Sequence, residues 1–220
     1  MSKSKGNIVN PNQYFDSHGV DALRTYLMFM GTFLEGGDFR DSGMDAMKRF
    51  LNRVWDIANM GEGKSSLNLK IKMAETIEKV EYSITSIKPN TAIAAIMEFV
   101  NEASKESAIE RQLVIDMAKL LSPFAPFLCE EIYSIKGGKK RTILEDGFPS
   151  GYEKYASMAN VELPVQISGK MRGKVTLEQN SSQEKAMEAI MKDEKLASML
   201  EGKTVRKIIY VQDKIINIIV

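Results

Sequence analysis

The stretch TAIAAIMEFVNEA, residues 91–103, decides the fold class of the larger part of this chain. Ile93, Ala94, Ile96, Met97 and Val100 return at intervals of three and four, which gathers them on one face of an α-helix. Pro89-Asn90 breaks whatever precedes it. Upstream, residues 70–87 read as another helix with Ile77, Val80, Ile84 and Ile87 as its core face. A linker, Gly61-Glu62-Gly63-Lys64-Ser65-Ser66, separates it from a long helix over 42–60 opened by Asp41-Ser42. That helix carries the stripe Met47, Phe50, Leu51, Val54, Trp55 and Ala58. Downstream, a helix is expected over 107–121. Ser122-Pro123 then starts one through Phe127, Leu128, Ile132 and Tyr133, with Pro126 near its beginning. Amphipathic helices joined by short loops predict an antiparallel bundle.

Toward the N-terminus, Asn10-Pro11 reads as an N-cap and first helical residue, followed by Tyr14 and Phe15 and a stop near Gly19. Asp21 is expected to cap the next helix, Ala22 to about Met30, with Leu23, Tyr26, Leu27 and Met30 at helical spacing. Glu35-Gly36-Gly37-Asp38 is a turn-rich connector. His18, the single histidine, falls at a helix end with no nucleophile nearby, so a capping or solvated role is expected.

The period changes at residue 161. Val161, Leu163, Val165 and Ile167 alternate with polar residues, as in a half-buried strand. Ser168-Gly169-Lys170 is a turn, and Met171 to Leu177 is the return strand. Ser181 and Glu184 have capping-box spacing ahead of a helix to about Met191, and Asp193 caps a shorter one ending before Gly202. Val205–Val211 and Ile215–Val220 close the chain as two strands. The order ββααββ predicts a compact α+β end.

With 220 residues, 44% hydrophobic and 27% charged, the composition is that of a soluble globular protein with ample core. No apolar run reaches the roughly 20 residues of a membrane helix, and no signal peptide is visible. One cysteine and one histidine supply neither an internal disulfide nor a metal set, so an intracellular protein without structural metal is expected. A net charge of +1 excludes a highly basic nucleic-acid protein but leaves local patches open. Trp55 on its stripe reads as core rather than a base-stacking platform, and Cys129 as a buried inert thiol. Adjacent Glu130 and Glu131 do not face one another on a helix, which argues against an acid/base pair. Arg49 and Arg53, one turn apart, and the basic turn Gly137-Gly138-Lys139-Lys140-Arg141 either meet RNA or are solvated.

The first residues, Met1-Ser2-Lys3-Ser4-Lys5-Gly6-Asn7, combine ammonium groups, hydroxyls and a glycine, which suits phosphate oxygens. MSKSKGNIVNP followed by HGVDALRTYLMFMG resembles the mobile KMSKS loop region of class I aminoacyl-tRNA synthetases, and more narrowly of bacterial leucyl-tRNA synthetase. The motif's opening lysine is missing, so Met1 is read as a motif residue at a fragment edge. NTAIAAIMEFVN and LLSPFAPFLCEEIY resemble that family's helical anticodon-binding domain. VQISGKMRGKV, DEKLASMLEGKTVRKIIYV and KIINIIV resemble its C-terminal domain.

This resemblance implies three parts. Residues 1–40 would be the KMSKS loop and connecting helices, 41–150 the helical bundle, and 160–220 a small tRNA-binding α+β domain. It makes Lys3 the catalytic, ATP-contacting lysine, with Ser2 and Ser4 flanking it. For tRNA it points to Lys170, Arg172 and Lys174 on the hairpin, on one strand face if alternation holds. It adds Lys203, Arg206 and Lys207 near the third strand. The full-length enzyme would use leucine, ATP with Mg2+, and leucine tRNA, as a cytoplasmic monomer. No nucleotide-binding Rossmann core and no G-x-G-x-x-G are present. This chain alone is therefore expected to be inactive and to hold no cofactor. Two other readings stay open: a free-standing synthetase-derived RNA-binding module, and a structural helical scaffold.

Overall fold

A computed structural model describes residues 9–32, 36–156, 158, 160–178 and 181–220. The chain divides after Tyr152 into two compact units. The first is helical: α1 Asn12–His18, α2 Val20–Phe29, α3 Asp41–Ala58, α4 Leu67–Thr85, α5 Pro89–Ala103, α6 Arg111–Leu121 and α7 Pro126–Ile135. A 3-10 turn, Ile143–Glu145, follows. The second holds the short helix α8 Glu153–Ala156, then β1 Asn160–Ile167, β2 Lys170–Glu178, α9 Gln183–Lys192, α10 Glu194–Leu200, β3 Lys207–Val211 and β4 Ile215–Ile219. The fold class is thus mainly α with a small α+β end.

The helical core is centred on α5, whose Ala92, Ile93, Ala95, Ile96, Phe99, Val100 and Ala103 are all buried. Its alanines let α4 approach closely, and its β-branched residues and Phe99 fill the space between neighbouring helices. Tyr14, Ala22, Leu23 and Tyr26 of α1 and α2 belong to the same core.

Several local expectations shift by a turn or less. On α4 the buried positions are Leu69, Met73, Ala74, Thr76, Val80 and Ser83, whereas Ile84 and, just past the helix, Ile87 are exposed. The helix is rotated so that small polar Thr76 and Ser83 face inward; Thr76 satisfies its hydroxyl on the Lys72 carbonyl at 2.6 Å. Trp55 is 36% exposed, not core: the buried stripe of α3 runs Met44, Met47, Phe50, Leu51, Val54, Ile57 and Ala58, and Trp55 lies on its flank. The helix expected from 107 begins at Arg111. Residues 61–63 pair with Ile109 through Gly63 N to Ile109 O (3.2 Å) and Ile109 N to Gly61 O (2.9 Å). The linker is therefore bound: Ser65 is buried and accepts from Glu110 N at 2.9 Å, and Ser66 caps α4 by accepting from Leu69 N at 3.1 Å. Helix α1 starts at Asn12, with Asn10 Oδ1 accepting from Asn12 N at 3.1 Å. His18 is neither solvated nor a simple cap; its ring lies between Ser17 Oγ (2.8 Å) and Asp45 Oδ1 (3.0 Å).

Asp21 does not cap its own helix. Its buried carboxylate accepts from Leu128 N (2.7 Å) and Phe127 N (3.4 Å), and so caps α7 from more than a hundred residues away. This accounts for the late start of α7. Residues 123–125 stay in a turn that bonds back to Leu121 O, and Pro126 takes the first helical position, where no N–H is needed. Cys129, one turn on, is fully buried, and burial pushes its thiol well above the usual range, as an inert core residue requires. Glu130 accepts from Ile143 N at 3.1 Å and so serves the chain beyond α7 rather than acid/base chemistry.

Burial raises the Asp21 carboxyl above the ordinary aspartate range, although both backbone donors pull it down. The folded state then binds a proton that the unfolded chain gives up, so this linkage favours folding as pH falls through the folded pKa. Melting curves of wild type and Asp21→Asn between neutral pH and about pH 4 should therefore diverge in favour of wild type as pH drops. Asp21→Ala, which removes the cap, should cost about 1–2 kcal/mol at neutral pH.

Candidate nucleic-acid interface

The C-terminal sheet has the strand order β2-β1-β4-β3, with β1 and β4 parallel at its centre and antiparallel pairs outside. One face buries Leu163, Val165, Ile167, Val175, Leu177, Ile216 and Ile218 against Ala186 and Ile190 of α9 and Leu196 and Leu200 of α10. Pro164 is tolerated in an interior strand because β4 pairs only with Val165–Ile167. The cap of α9 is Ser182, which accepts from Lys185 N at 3.4 Å, not Ser181, whose hydroxyl donates to Glu178 O at 2.6 Å. Asp193 does cap α10, accepting from Leu196 N at 2.9 Å.

The hairpin turn joins Ser168 (φ 48°) to Gly169 (φ 78°), two consecutive left-handed residues that match the twist of the flanking strands. Ser168 N donates to Ile218 O at 2.8 Å and Gly169 N to Asn217 Oδ1 at 3.1 Å, so the turn is fixed to β4. Beyond it the register slips. Gln166 pairs with Met171 but Val165 pairs with Gly173, leaving Arg172 as the extra residue of a bulge.

That bulge changes the expected cation array. Residues paired across strands share a face. Lys170 lies opposite buried Ile167, while Lys174 lies opposite Pro164 on the outer face. The three cations therefore do not form one row. Lys174 is also paired, with its ammonium 2.7 Å from Glu162 Oε2. Arg172 is exposed at the bulge, with no ion pair among the described residues.

The second cation group is built differently. Lys203 follows α10 and Arg206 enters β3, with Arg206 N donating to Ile219 O at 2.8 Å. Lys207 pairs with Ile219. All three are exposed. They belong to the β3 edge and the hairpin to the β2 edge, roughly 14 Å apart across three strand spacings. Ile167 pairs with Lys170 and Ile218, and Ile218 with Ile208, so Lys170, Arg206 and Lys207 still share one end of the sheet. Between the edges the outer face carries Met171, Gln166, Asn217 and Ile209 across the strands, with Val211 below; Met171, Ile209 and Val211 are exposed. The signal for this face was present in KIIYV, where Ile209 and Val211 follow Lys207 on the exposed side while Ile208 and Tyr210 alternate with them on the half-buried one.

Ser2, Lys3 and Ser4 lie outside the described residues. Among the described residues, no three His, Cys, Asp or Glu side chains converge to hold a metal.

Residues 69–188 match the model of the anticodon-binding domain of tRNA ligase, and the chain belongs to that family. More particularly, its structure is similar to a leucyl-tRNA synthetase of Agrobacterium radiobacter K84, solved as a ternary complex with tRNA and LeuAMS. The TM-score is 0.83 and the identity 27%, over 100% of this chain and 31% of that one. The chain thus spans about a third of that synthetase's length.

Gly169→Val places a β-branched residue at φ 78° and should cost about 1–2 kcal/mol. In the C-terminal unit that corresponds to a melting shift of roughly 5–10 °C, read by differential scanning calorimetry.

Proposed function

We propose that this chain is the C-terminal, tRNA-positioning portion of a cytoplasmic, monomeric leucyl-tRNA synthetase. The observation that carries this is the similarity over the whole chain, both units included, to a synthetase captured with tRNA. A structural scaffold would give no reason for an exposed Arg172 at a bulge, without an ion pair among the described residues, or for Lys170, Arg206 and Lys207 at one end of an otherwise mixed-charge sheet. Such exposed cations read phosphates and backbone shape rather than base edges.

In the full-length enzyme, leucine's carboxylate would attack the α-phosphorus of ATP, and the terminal ribose of leucine tRNA would then accept the leucyl group. Lys3 would meet the charge that grows on the departing pyrophosphate, with Ser2 and Ser4 beside it in a loop that closes over ATP. Mg2+ would enter with ATP; no step is assigned to a metal held by the described residues of this chain.

Binding of the 220-residue chain to leucine tRNA and to an unrelated tRNA, across a salt series, tests the reading. Tighter binding to leucine tRNA, weakening with salt, is expected. Arg172→Ala should reduce affinity several-fold, and Lys174→Ala, already neutralised by Glu162, markedly less. Equal, salt-independent or absent binding would favour the scaffold. The chain alone should give no leucine-dependent ATP–pyrophosphate exchange; measurable exchange free of host enzyme would refute the assignment of catalysis to a missing portion.

A further inference from the structure

Helix α1 is the described element nearest in sequence to Lys3, and it is short. Seven residues do not hold a helix on their own. Its apolar anchoring is thin. Tyr14 is its buried residue, with the ring 5.1 Å from that of Phe39, whereas Phe15 is exposed and Val9, just ahead of the helix, is half-buried. The rest of its hold on the bundle is polar and comes from α3. The Tyr14 hydroxyl donates to Asp41 Oδ1 at 2.5 Å, His18 Nε2 lies 3.0 Å from Asp45 Oδ1, and the Lys48 ammonium donates to Ser17 O at 2.6 Å. Asp41, Asp45 and Lys48 recur at intervals of four and three, so they form one ridge of α3.

Each tie meets a need that α1 cannot meet by itself. Ser17 O is among the last carbonyls of the helix, which lack intrahelical donors, and Lys48 supplies a charged one. His18 stands at the same end, where the helix dipole favours a donor. Its Nε2 faces a carboxylate and so carries the proton. Nδ1, 2.8 Å from Ser17 Oγ, then accepts from that hydroxyl in the neutral ring. The imidazole is 16% exposed and the Tyr14 ring lies 6.0 Å away, so its rotamer is confined. Lys3 lies six residues before Val9, the first described residue, and six residues reach at most about 20 Å. Where α1 is held therefore bounds where an ammonium on that segment can act.

Asp41, Asp45 and Lys48 are all exposed, so the packed core of the helical unit does not depend on them. We infer that His18, with Asp45 and Lys48, is a positioning set for the Lys3 segment: by fixing α1 on α3 it fixes the anchor from which that segment reaches ATP. This rests on the reading of Lys3 given above. His18 touches no substrate and acts through α1. A loosened anchor lets the segment sample more positions, so the ammonium spends less time where charge grows on the departing pyrophosphate. The loss is one of transition-state stabilisation. It falls on kcat for leucine-dependent ATP–pyrophosphate exchange, while leucine, which that segment does not hold, keeps its KM.

Exchange kinetics of the full-length synthetase, with rates expressed per active site counted by the burst of adenylate formation, test this. His18→Ala should lower kcat about tenfold and leave the KM for leucine unchanged. His18→Gln, whose amide can still donate to Asp45, should recover most of the loss. The double variant His18→Ala with Asp45→Ala should be no slower than the slower single variant, because both substitutions remove one tie. Ile96→Val, a mild core change on α5 away from the ties, should leave kcat unchanged. If Lys3→Ala abolishes exchange while His18→Ala leaves kcat intact, or while His18→Gln is as slow as His18→Ala, the inference falls and the Lys3 reading stands. If Ile96→Val slows exchange as much as His18→Ala, the loss reports general loosening of the bundle and the inference falls. If Lys3→Ala leaves exchange untouched, both fall.

Discussion

The grip of α2 on the corner before α7 is the constraint on which the helical unit depends. Asp21 accepts from Phe127 N and Leu128 N, and the Arg24 guanidinium donates to Pro123 O at 3.2 Å. Thr25, fully buried, stands 3.5 Å from Phe124 O while its hydroxyl donates to Asp21 O at 2.8 Å. A buried carboxylate is costly to desolvate, and a helix N-terminus is costly to leave uncapped. Each cost is met by the other group, and the helix dipole adds attraction. The result joins segments near the two ends of the unit and fixes where α7 begins, which in turn fixes Tyr133 and Glu130 and the turn they hold.

A second buried network stabilises the far end of α6. Lys119, 10% exposed, lies 2.9 Å from Asp146 and 3.6 Å from Asp116. Asp116 also accepts from the Tyr152 hydroxyl at 2.8 Å and from Gln112 Nε2 at 3.1 Å. Burial raises the Asp116 carboxyl, whereas the hydrogen bond from Lys119 holds that of Asp146 below its ordinary range. Every polar group in this cluster has a partner, the condition under which such networks specify one arrangement rather than weaken the core. Through Asp146 and Tyr152 it secures the chain following the 3-10 turn up to the boundary of the unit.

In the C-terminal unit the comparable constraint is the parallel pairing of β1 with β4. It ties the hairpin turn to the last strand, so the bulge at Arg172 is held in a sheet whose other face is packed. Bulges re-aim side chains, and here one separates Arg172 from the row that simple alternation implies.

Much of this protein was legible in the sequence because periodicity reports burial directly. The 3.6-residue period of residues 91–103 and the two-residue period from Val161 to Ile167 distinguish bundle from sheet, and Asp193 announced its own cap. The failures share a cause: they concern partners remote in sequence. Asp21 looks like a local cap, yet its acceptors serve α7. Ile84 and Ile87 match an apolar stripe, yet the packing of α4 turns Thr76 and Ser83 inward. Trp55 sits one position off the stripe that α3 buries. The basic residues were all visible, but composition cannot tell a neutralised lysine such as Lys174 from an unpaired one such as Lys140, and alternation cannot foresee a bulge. Local spacing sets which element forms and which face is apolar; only tertiary contact decides which polar groups meet, because hydrogen bonds and ion pairs join atoms close in space rather than along the chain.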